Sequence, residues 1–182
     1  VYDKPMIYYP LSTLMMSGIR EILIISTERD LQSFKSLLGD GAQWGIDLSY
    51  EIQKRPEGIA QALLIAENFL SGSPSALILG DNIFHGNSIQ LSINRANSIS
   101  EGASIFAYYV KNPKQYGVVS FDNEGKAETI IEKPKKPQTN YAVTGLYLYD
   151  GCASEIAKSL SPSSRGELEI TDLNLAYLRE NR

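Results

Sequence analysis

The stretch Ala76-Leu77-Ile78-Leu79-Gly80-Asp81-Asn82 is an aliphatic run that ends abruptly in a glycine and two polar residues. A short continuous apolar run of this kind predicts a strand buried on both faces, as in a parallel sheet covered by helices. The run EILIIS at residues 21–26 has the same character. Between the two runs, residues 28–38 and 59–70 carry apolar side chains at helical spacing, which predicts helices.

Helix and strand signals alternate over residues 1–110, with helices at 7–17, 28–38, 59–70 and 88–99 and strands at 21–26, 48–53, 76–79 and 103–110. This alternation predicts an α/β fold with a doubly wound, mostly parallel, Rossmann-like sheet. Residues 111–182 differ, because strands at 117–121, 127–131 and 141–149 have short connections and precede helices at 153–160 and 169–178. We therefore expect one domain over residues 1–182, with a mixed sheet in its second part.

The composition excludes several classes of protein. Lys and Arg number 17 and Asp and Glu number 21, and a net charge of -4 without a basic run argues against a nucleic-acid-binding protein. One Cys and one His exclude an internal disulfide and a Cys-rich zinc site, and they fit a reducing, cytoplasmic compartment. No apolar run approaches the ~20 residues that span a bilayer, so no membrane partner is expected.

The first candidate site is the polar end of the opening stretch. Ligands of open α/β sheets bind beyond the carboxyl ends of strands, where Gly80-Asp81-Asn82 is expected. Asp81 is a candidate Mg²⁺ ligand, because Mg²⁺ binds through one or two carboxylates together with substrate phosphates. The alternative is that Asp81 and Asn82 only begin a turn or cap the next helix.

A second candidate is the loop that follows the predicted strand at 48–53. Gln53 offers both a donor and an acceptor, which suits the edge of a pyrimidine base. Pro56 and Gly58 follow in the loop, and backbone N–H groups at the next helix start could meet a ligand. The alternative is an ordinary connection between a strand and a helix.

A third candidate joins two strand ends. Tyr116 and Gly117 open one strand, where a glycine permits a backbone contact that a side chain would block. Glu132 suits a pair of sugar hydroxyls and Lys133 suits a phosphate, provided that the strand end before Pro134 lets both side chains reach one ligand. The alternative is a solvated charge pair on a strand edge.

A fourth candidate lies before the last predicted helix. Arg165 could contact a phosphate and Glu167 could contact a sugar. The alternative is that these charges only cap the helix and complement its dipole.

Several motifs together resemble one family, the bacterial glucose-1-phosphate thymidylyltransferases. They occur in the same order and run over essentially the whole chain: YDKPMIYYPL at 2–11, GDN at 80–82, QYGVV at 115–119, EKP at 132–134, NYAVTGLY at 140–147 and RGELEITD at 165–172. The resemblance implies a nucleotide-binding half over residues 1–110 and a sugar-binding half over residues 111–182. It also implies a homo-oligomer, commonly a tetramer.

The resemblance implies Mg²⁺-dependent attack of glucose 1-phosphate on the α-phosphate of dTTP, which yields dTDP-glucose, a precursor of dTDP-rhamnose and other dTDP-sugars. By position, it implies a nucleotide site at Gln53, Pro56, Gly58 and Asp81. Asp81 would be the metal ligand, and Asp81 and Lys133 would be the catalytic residues. The residues implied at or near the sugar-phosphate site are Asn82, Tyr116, Gly117, Glu132, Lys133, Val143, Tyr147, Arg165 and Glu167.

Members of the family begin with a strand and a Gly-rich loop, followed by a Lys, that this sequence does not match. A second metal-binding Asp and the last family helices are not matched either. We therefore expect an internal segment of a longer enzyme, with independent activity improbable. The alternatives are a related transferase that uses UTP, CTP or another sugar 1-phosphate, and a non-catalytic sugar-nucleotide binding domain.

Overall fold

The computed structural model describes residues 1–86, 89–97 and 100–182. In the first part, the elements are α1 (Tyr8–Met16), β1 (Glu21–Ser26), α2 (Glu28–Leu38), β2 (Asp47–Ile52), α3 (Gln61–Ile65), α4 (Glu67–Leu70), β3 (Ser75–Ile78), α5 (Ile89–Asn97) and β4 (Ala103–Tyr109). In the second part, they are β5 (Gly117–Phe121), β6 (Ala127–Glu132), β7 (Tyr141–Tyr149), α6 (Ala153–Ser159) and α7 (Ile170–Arg179).

The predicted elements are confirmed to within a residue or two, with one difference. A turn at Ala66 divides the predicted helix 59–70 into α3 and α4. The predicted helix 88–99 appears as α5, and its residues Ser88, Ser98 and Ile99 lie outside the described residues. None of the helices in the described ranges is long and apolar enough to cross a membrane.

Local sequence explains why the elements begin and end where they do. At α2, the Thr27 side chain accepts a hydrogen bond from the Asp30 N–H, which caps the first turn. The helix stops at Gly39, whose φ of 60° is favourable for glycine alone among the common residues. The cap at Thr27 and the glycine at position 39 therefore determine where this helix begins and ends.

Strand β7 organises the larger sheet. Its Leu146–Tyr149 part pairs with β3, its Ala142 pairs with Val118 of β5, and β4 pairs along nearly its whole length. Because β4 occupies one edge of β7, strands β3 and β5 must share the other edge. Residues 143–145 lie on that edge between the two partner strands, so β3 and β5 diverge there.

The α/β class is confirmed, with a parallel pair β1–β2 and an antiparallel sheet in the order β3-β7-β5-β6. The pairing predicted to be mostly parallel is not observed: among the described strands only β1 and β2 pair in parallel, because β7 runs antiparallel to β3, β4 and β5. An apolar cleft of about 590 Å³ separates β1 from β3, and Ile22, Ile24, Ala76 and Ile78 are among the residues that line it. β1 and β3 belong to different sheets and line this cleft together.

The main core lies where β7 meets the last two helices. Tyr147, Tyr149, Leu173 and Tyr177 are each at most 4% exposed and belong to one apolar cluster. Asp150 follows β7 immediately and accepts hydrogen bonds from the Gly102 and Cys152 N–H groups, the Tyr177 hydroxyl and the Arg182 guanidinium. This core anchors α7 and so fixes the segment before it.

Candidate functional site

A cavity of about 1230 Å³ opens where β3 and β5 diverge along β7. Every residue predicted for the site lines it: Gln53, Pro56, Gly58, Asp81, Asn82, Tyr116, Gly117, Glu132, Lys133, Val143, Tyr147, Arg165 and Glu167. These residues come from six separate parts of the sequence. Their convergence follows from the divergence of two strands that share one edge of a third.

Asp81 and Asn82 are held against β7 by main-chain contacts. Leu79 N–H donates to the Gly145 carbonyl at 2.9 Å, and Gly145 N–H donates to Asn82 Oδ1 at 2.9 Å. With its oxygen engaged, Asn82 donates from Nδ2 to Asp81 Oδ1 at 2.8 Å. Asp81 lies within a turn that the Asn82 N–H closes by donating to the Leu79 carbonyl. The residue is exposed and lines the cavity, and its second carboxylate oxygen accepts no hydrogen bond from the described residues.

The loop from β2 to α3 is tied to the segment before α7. Leu168 N–H donates to the Glu57 carbonyl at 2.7 Å, and Ala60 N–H donates to the Leu168 carbonyl at 3.1 Å. Gly58 has a φ of 104°, and a Cβ there would overlap the Leu168 backbone. The Gln53 end and the Arg165 end of the cavity are therefore joined through their main chains.

Glu132 and Lys133 reach the same cavity because the strand is interrupted between them. Lys133 has a φ of 41°, in the left-handed region, so the alternation of an extended strand ends at this residue. Its ammonium lies 3.7 Å from Glu132 Oε1. Glu132 Oε2 accepts a hydrogen bond of 2.6 Å from the Thr171 hydroxyl, and both groups lie beside Gly117, which leaves no free room for a Cβ.

Arg165 is held by the acidic residues around it. Its guanidinium donates to both carboxylate oxygens of Glu169, with a shortest contact of 2.8 Å. Glu167 lies 3.3 Å away and Glu132 3.6 Å away. The hydrogen bonds with Glu169 raise the pKa of Arg165, so the cation is permanent. Glu169 makes no side-chain cap on α7, so its observed role is to position Arg165.

Tyr147 and Val143 form the apolar floor of the cavity. Burial of the Tyr147 ring, with the negative charge of Glu132 nearby, raises the pKa of its hydroxyl to about 12. The hydroxyl therefore remains a donor at neutral pH. Among the described residues it has no hydrogen-bond partner, and Tyr147 is one of the residues that line the cavity.

Three polar residues that support the site were not predicted: Gln61, Glu169 and Thr171. Gln61 Oε1 accepts a hydrogen bond of 2.6 Å from Gln53 Nε2. Glu169 and Thr171 hold Arg165 and Glu132 respectively. The sequence carries no signal for Gln61 beyond its helical position, whereas the polar residues around Ile170 are accounted for equally well by a helix start.

The charges of the cavity decide what it can hold. Carboxylates outnumber cations among its lining residues, since Asp81, Glu132, Glu167 and Glu169 face Lys133 and Arg165. No group of three or more His, Cys, Asp or Glu side chains in the described ranges is placed so that it could hold a metal ion. Asp81 is thus a single carboxylate in an open position, which suits a hard cation that takes its other ligands from a phosphate and water.

The whole chain matches a known family. A family model described as nucleotidyl transferase matches residues 1–182. The glucose-1-phosphate thymidylyltransferase of Xanthomonas campestris pv. campestris is 59% identical over 178 residues, which cover 98% of this chain and 60% of the relative. The enzyme of the same name from Mycolicibacterium smegmatis is 53% identical over 182 residues, or 100% of this chain and 63% of the relative.

Solved structures agree with the sequence relatives. A Bacillus anthracis protein assigned as a glucose-1-phosphate thymidylyltransferase, in complex with a sucrose, has a TM-score of 0.88 and 40% identity, covering 97% of this chain and 71% of that chain. A UDP-glucose pyrophosphorylase complexed with UDP-glucose has a TM-score of 0.77 over 97% of this chain and 75% of that chain. At 23% identity it supports the fold alone.

These matches confirm the family resemblance inferred from the motifs. The chain spans about three fifths of the length of the curated relatives. Because the family model covers all of its residues, the chain belongs to the nucleotidyl transferase family.

Proposed function

We propose that this chain forms the base-binding and sugar-phosphate-binding part of a glucose-1-phosphate thymidylyltransferase. In the reaction, an oxygen of the phosphate of glucose 1-phosphate attacks the α-phosphorus of dTTP, the bond to the β-phosphate breaks, and pyrophosphate leaves. The observation that carries the proposal is the convergence of every predicted site residue on one cavity. Relatives at 53–59% identity that bear this name support the choice of substrates.

The base would lie at the Gln53 end. The Gln53 amide offers a donor and an acceptor to a pyrimidine edge, and the glycine at position 58, which also lines the cavity, lets the loop pack against the Leu168 backbone. Because Leu168 is hydrogen-bonded to this loop, a ligand bound at one end of the cavity is held at a defined distance from the other end. Fixed placement of two reactants is the main catalytic contribution that such a reaction needs.

The sugar phosphate would lie at the other end. Glu132 is oriented by Thr171 and offers lone pairs to sugar hydroxyls, and Tyr147 offers a hydroxyl donor. Lys133 places a half-exposed ammonium beside the same ligand, where it would attract the phosphate. Arg165, which Glu169 holds in place, adds a second cation.

We infer a Mg²⁺ site at Asp81. Bound there, the ion would neutralise negative charge where two phosphorylated reactants meet. The residues fit such an ion because Asp81 is an open carboxylate and the lining of the cavity is carboxylate-rich. Asn82 keeps the Asp81 carboxylate aligned by donating to one of its oxygens. The pathway to dTDP-rhamnose and the tetramer remain predictions from the resemblance.

Nucleotide binding and turnover test the proposal directly. Isothermal titration of the purified chain in MgCl₂ should show dTTP binding more tightly than UTP or CTP, and glucose 1-phosphate binding independently. Preference for UTP or CTP would replace the thymidylyl assignment with the related transferase. We expect turnover by this chain alone to be absent, because Lys133 and Arg165 supply little positive charge for two anionic reactants.

The metal site has its own test. Asp81→Asn should remove the Mg²⁺ dependence of dTTP binding while leaving the unfolding temperature unchanged. Asp47→Asn, an exposed carboxylate at the start of β2, is the matched control and should behave as wild type. Unchanged Mg²⁺ dependence in Asp81→Asn would contradict the assignment.

A further inference from the structure

A chain of hydrogen-bonded side chains leads from the protein surface to the base end of the cavity. Gln61 Nε2 donates to Glu57 Oε2 at 2.7 Å, and Gln53 Nε2 donates to Gln61 Oε1 at 2.6 Å. The Glu57 N–H also points to Gln61 Oε1, at 3.4 Å. Of the three side chains, only that of Gln53 lines the cavity.

The direction of these hydrogen bonds is set by the Glu57 carboxylate at the surface end of the series. A carboxylate near neutral pH only accepts hydrogen bonds, so Gln61 must turn its NH₂ group toward Glu57. The Gln61 oxygen then faces Gln53, and only an N–H of Gln53 can meet it. Turning either amide over would bring two acceptors together, which costs the hydrogen bond and adds repulsion.

The result is a Gln53 amide with a fixed orientation. Its Oε1 has no hydrogen-bond partner among the described residues, and its second N–H is also available. Thymine and uracil present a ring N–H donor next to a carbonyl acceptor. This edge is complementary to the Gln53 amide, whose Oε1 accepts and whose second N–H donates. Cytosine presents the reverse pattern in the same pose, and it would need Gln53 turned over by half a turn.

We propose that Glu57 and Gln61 are positioning residues that make the Gln53 amide selective for bases with an imide edge, thymine or uracil, over cytosine. The inference rests on the proposed function, because it assumes that Gln53 meets the base. It assigns a role to two residues that do not themselves touch the cavity. The discrimination follows from hydrogen-bond direction and does not require a change in the shape of the site.

The test is an NMR titration of the 182-residue chain with dTMP and with dCMP, which does not depend on turnover. Wild type should bind dTMP more tightly. Gln61→Leu removes the acceptor that orients Gln53, and the dTMP-to-dCMP affinity ratio should fall about ten-fold. Gln32→Leu, an exposed position on α2, is the control for replacing an amide with an apolar side chain.

A rescue variant separates orientation from packing. In Glu57→Gln/Gln61→Glu the carboxylate moves to position 61, where it can accept from Gln53 and from the new amide at position 57. The outer hydrogen bond reverses its direction, but Gln53 again donates to an acceptor at position 61, so the affinity ratio should return to within about three-fold of wild type. An unchanged ratio in Gln61→Leu, or a rescue variant no more selective than Gln61→Leu, would overturn the inference.

Failure of the proposed function would look different. If wild type binds neither nucleotide, the base site itself is wrong, and the selectivity inference is overturned with it. The side-chain amide resonances of Gln53 still report on orientation in that case. They should shift between wild type and Gln61→Leu if Gln61 holds the amide.

Discussion

Asp150 and Glu132 are two carboxylates at strand ends, and their surroundings differ in a decisive way. The Asp150 side chain is 6% exposed, and each of its oxygens accepts hydrogen bonds from two groups. The Glu132 side chain is 30% exposed and accepts one hydrogen bond, from Thr171, while its cationic neighbours stay at 3.6 and 3.7 Å. A carboxylate whose oxygens already accept their hydrogen bonds from the protein stabilises the fold. A carboxylate that can accept further hydrogen bonds is able to bind a ligand.

The largest effect should come from Asp150→Asn. The amide would turn an NH₂ group toward donors that now meet a charged acceptor, and we expect the free energy of unfolding to fall by about 2–4 kcal/mol. Urea unfolding measures this loss. Ligand affinity of the folded fraction should stay as in wild type, and a loss smaller than that of Glu132→Gln would break the comparison.

Asp150 should also contribute to the acid sensitivity of the fold. Burial would raise the pKa of this carboxyl, but hydrogen bonds from Gly102, Cys152 and Tyr177 and the charge of Arg182 outweigh it, so the pKa lies below the ordinary 3.8. A lowered pKa gives stability that is present above the ordinary value and lost as the pH falls through the lowered one. Wild type should lose stability below about pH 4, and Asp150→Asn should lose less over the same range.

Glu132→Gln should have the opposite profile. We expect glucose 1-phosphate affinity to fall at least about ten-fold, because the charge that organises Lys133 and Arg165 is removed, with little change in unfolding temperature. Calorimetry gives the affinity and the unfolding temperature separately. Glu128→Gln, exposed on the same strand, should leave both unchanged. A destabilised Glu132→Gln with normal affinity would assign Glu132 to the fold.

Thr171→Val should give a smaller version of the same effect. The substitution keeps the shape of the buried side chain but removes the donor to Glu132, and sugar-phosphate affinity should fall about three- to ten-fold. Thr171→Ser keeps the donor and should retain most of the affinity. A loss in Thr171→Ser as large as that in Thr171→Val would show that the hydroxyl alone does not account for the effect, and would contradict the role assigned to its hydrogen bond.

Salt should produce the smallest effect. Lys133 is 46% exposed and Arg165 41% exposed, so their attraction for a phosphate is partly screened. Raising the ionic strength from about 0.05 M to about 0.2 M should weaken glucose 1-phosphate binding about two- to three-fold and leave thymidine binding nearly constant. Equal salt dependence at both ends of the cavity would contradict the division of roles.

The sequence predicts most of the elements because their signals are local. The cap at Thr27, the stop at Gly39 and the aliphatic runs of β1 and β3 each fix a boundary without reference to distant residues. Strand order depends on long-range contacts, so the sharing of one β7 edge by β3 and β5 has no local signal. The cleft between β1 and β3 has none either.

The site was predictable to the extent that its residues lie in motifs. Asp81, Gln53 and Glu132 each stand at a strand end, where a ligand is expected in this fold class. Gln61 and Thr171 lie within helices and act only through a partner from a distant segment. The roles of Gln61 and Thr171 can therefore be recognised only when the structure places their partners next to them.

The left-handed backbone at Lys133 has a consequence for how this position can change. A lysine at a φ of 41° pays a conformational penalty that glycine or asparagine would largely escape. The same backbone turn brings the ammonium beside Glu132, so relaxing the strain by substitution removes the charge that faces the cavity. Selection for stability and selection for phosphate binding therefore favour different residues at this one position.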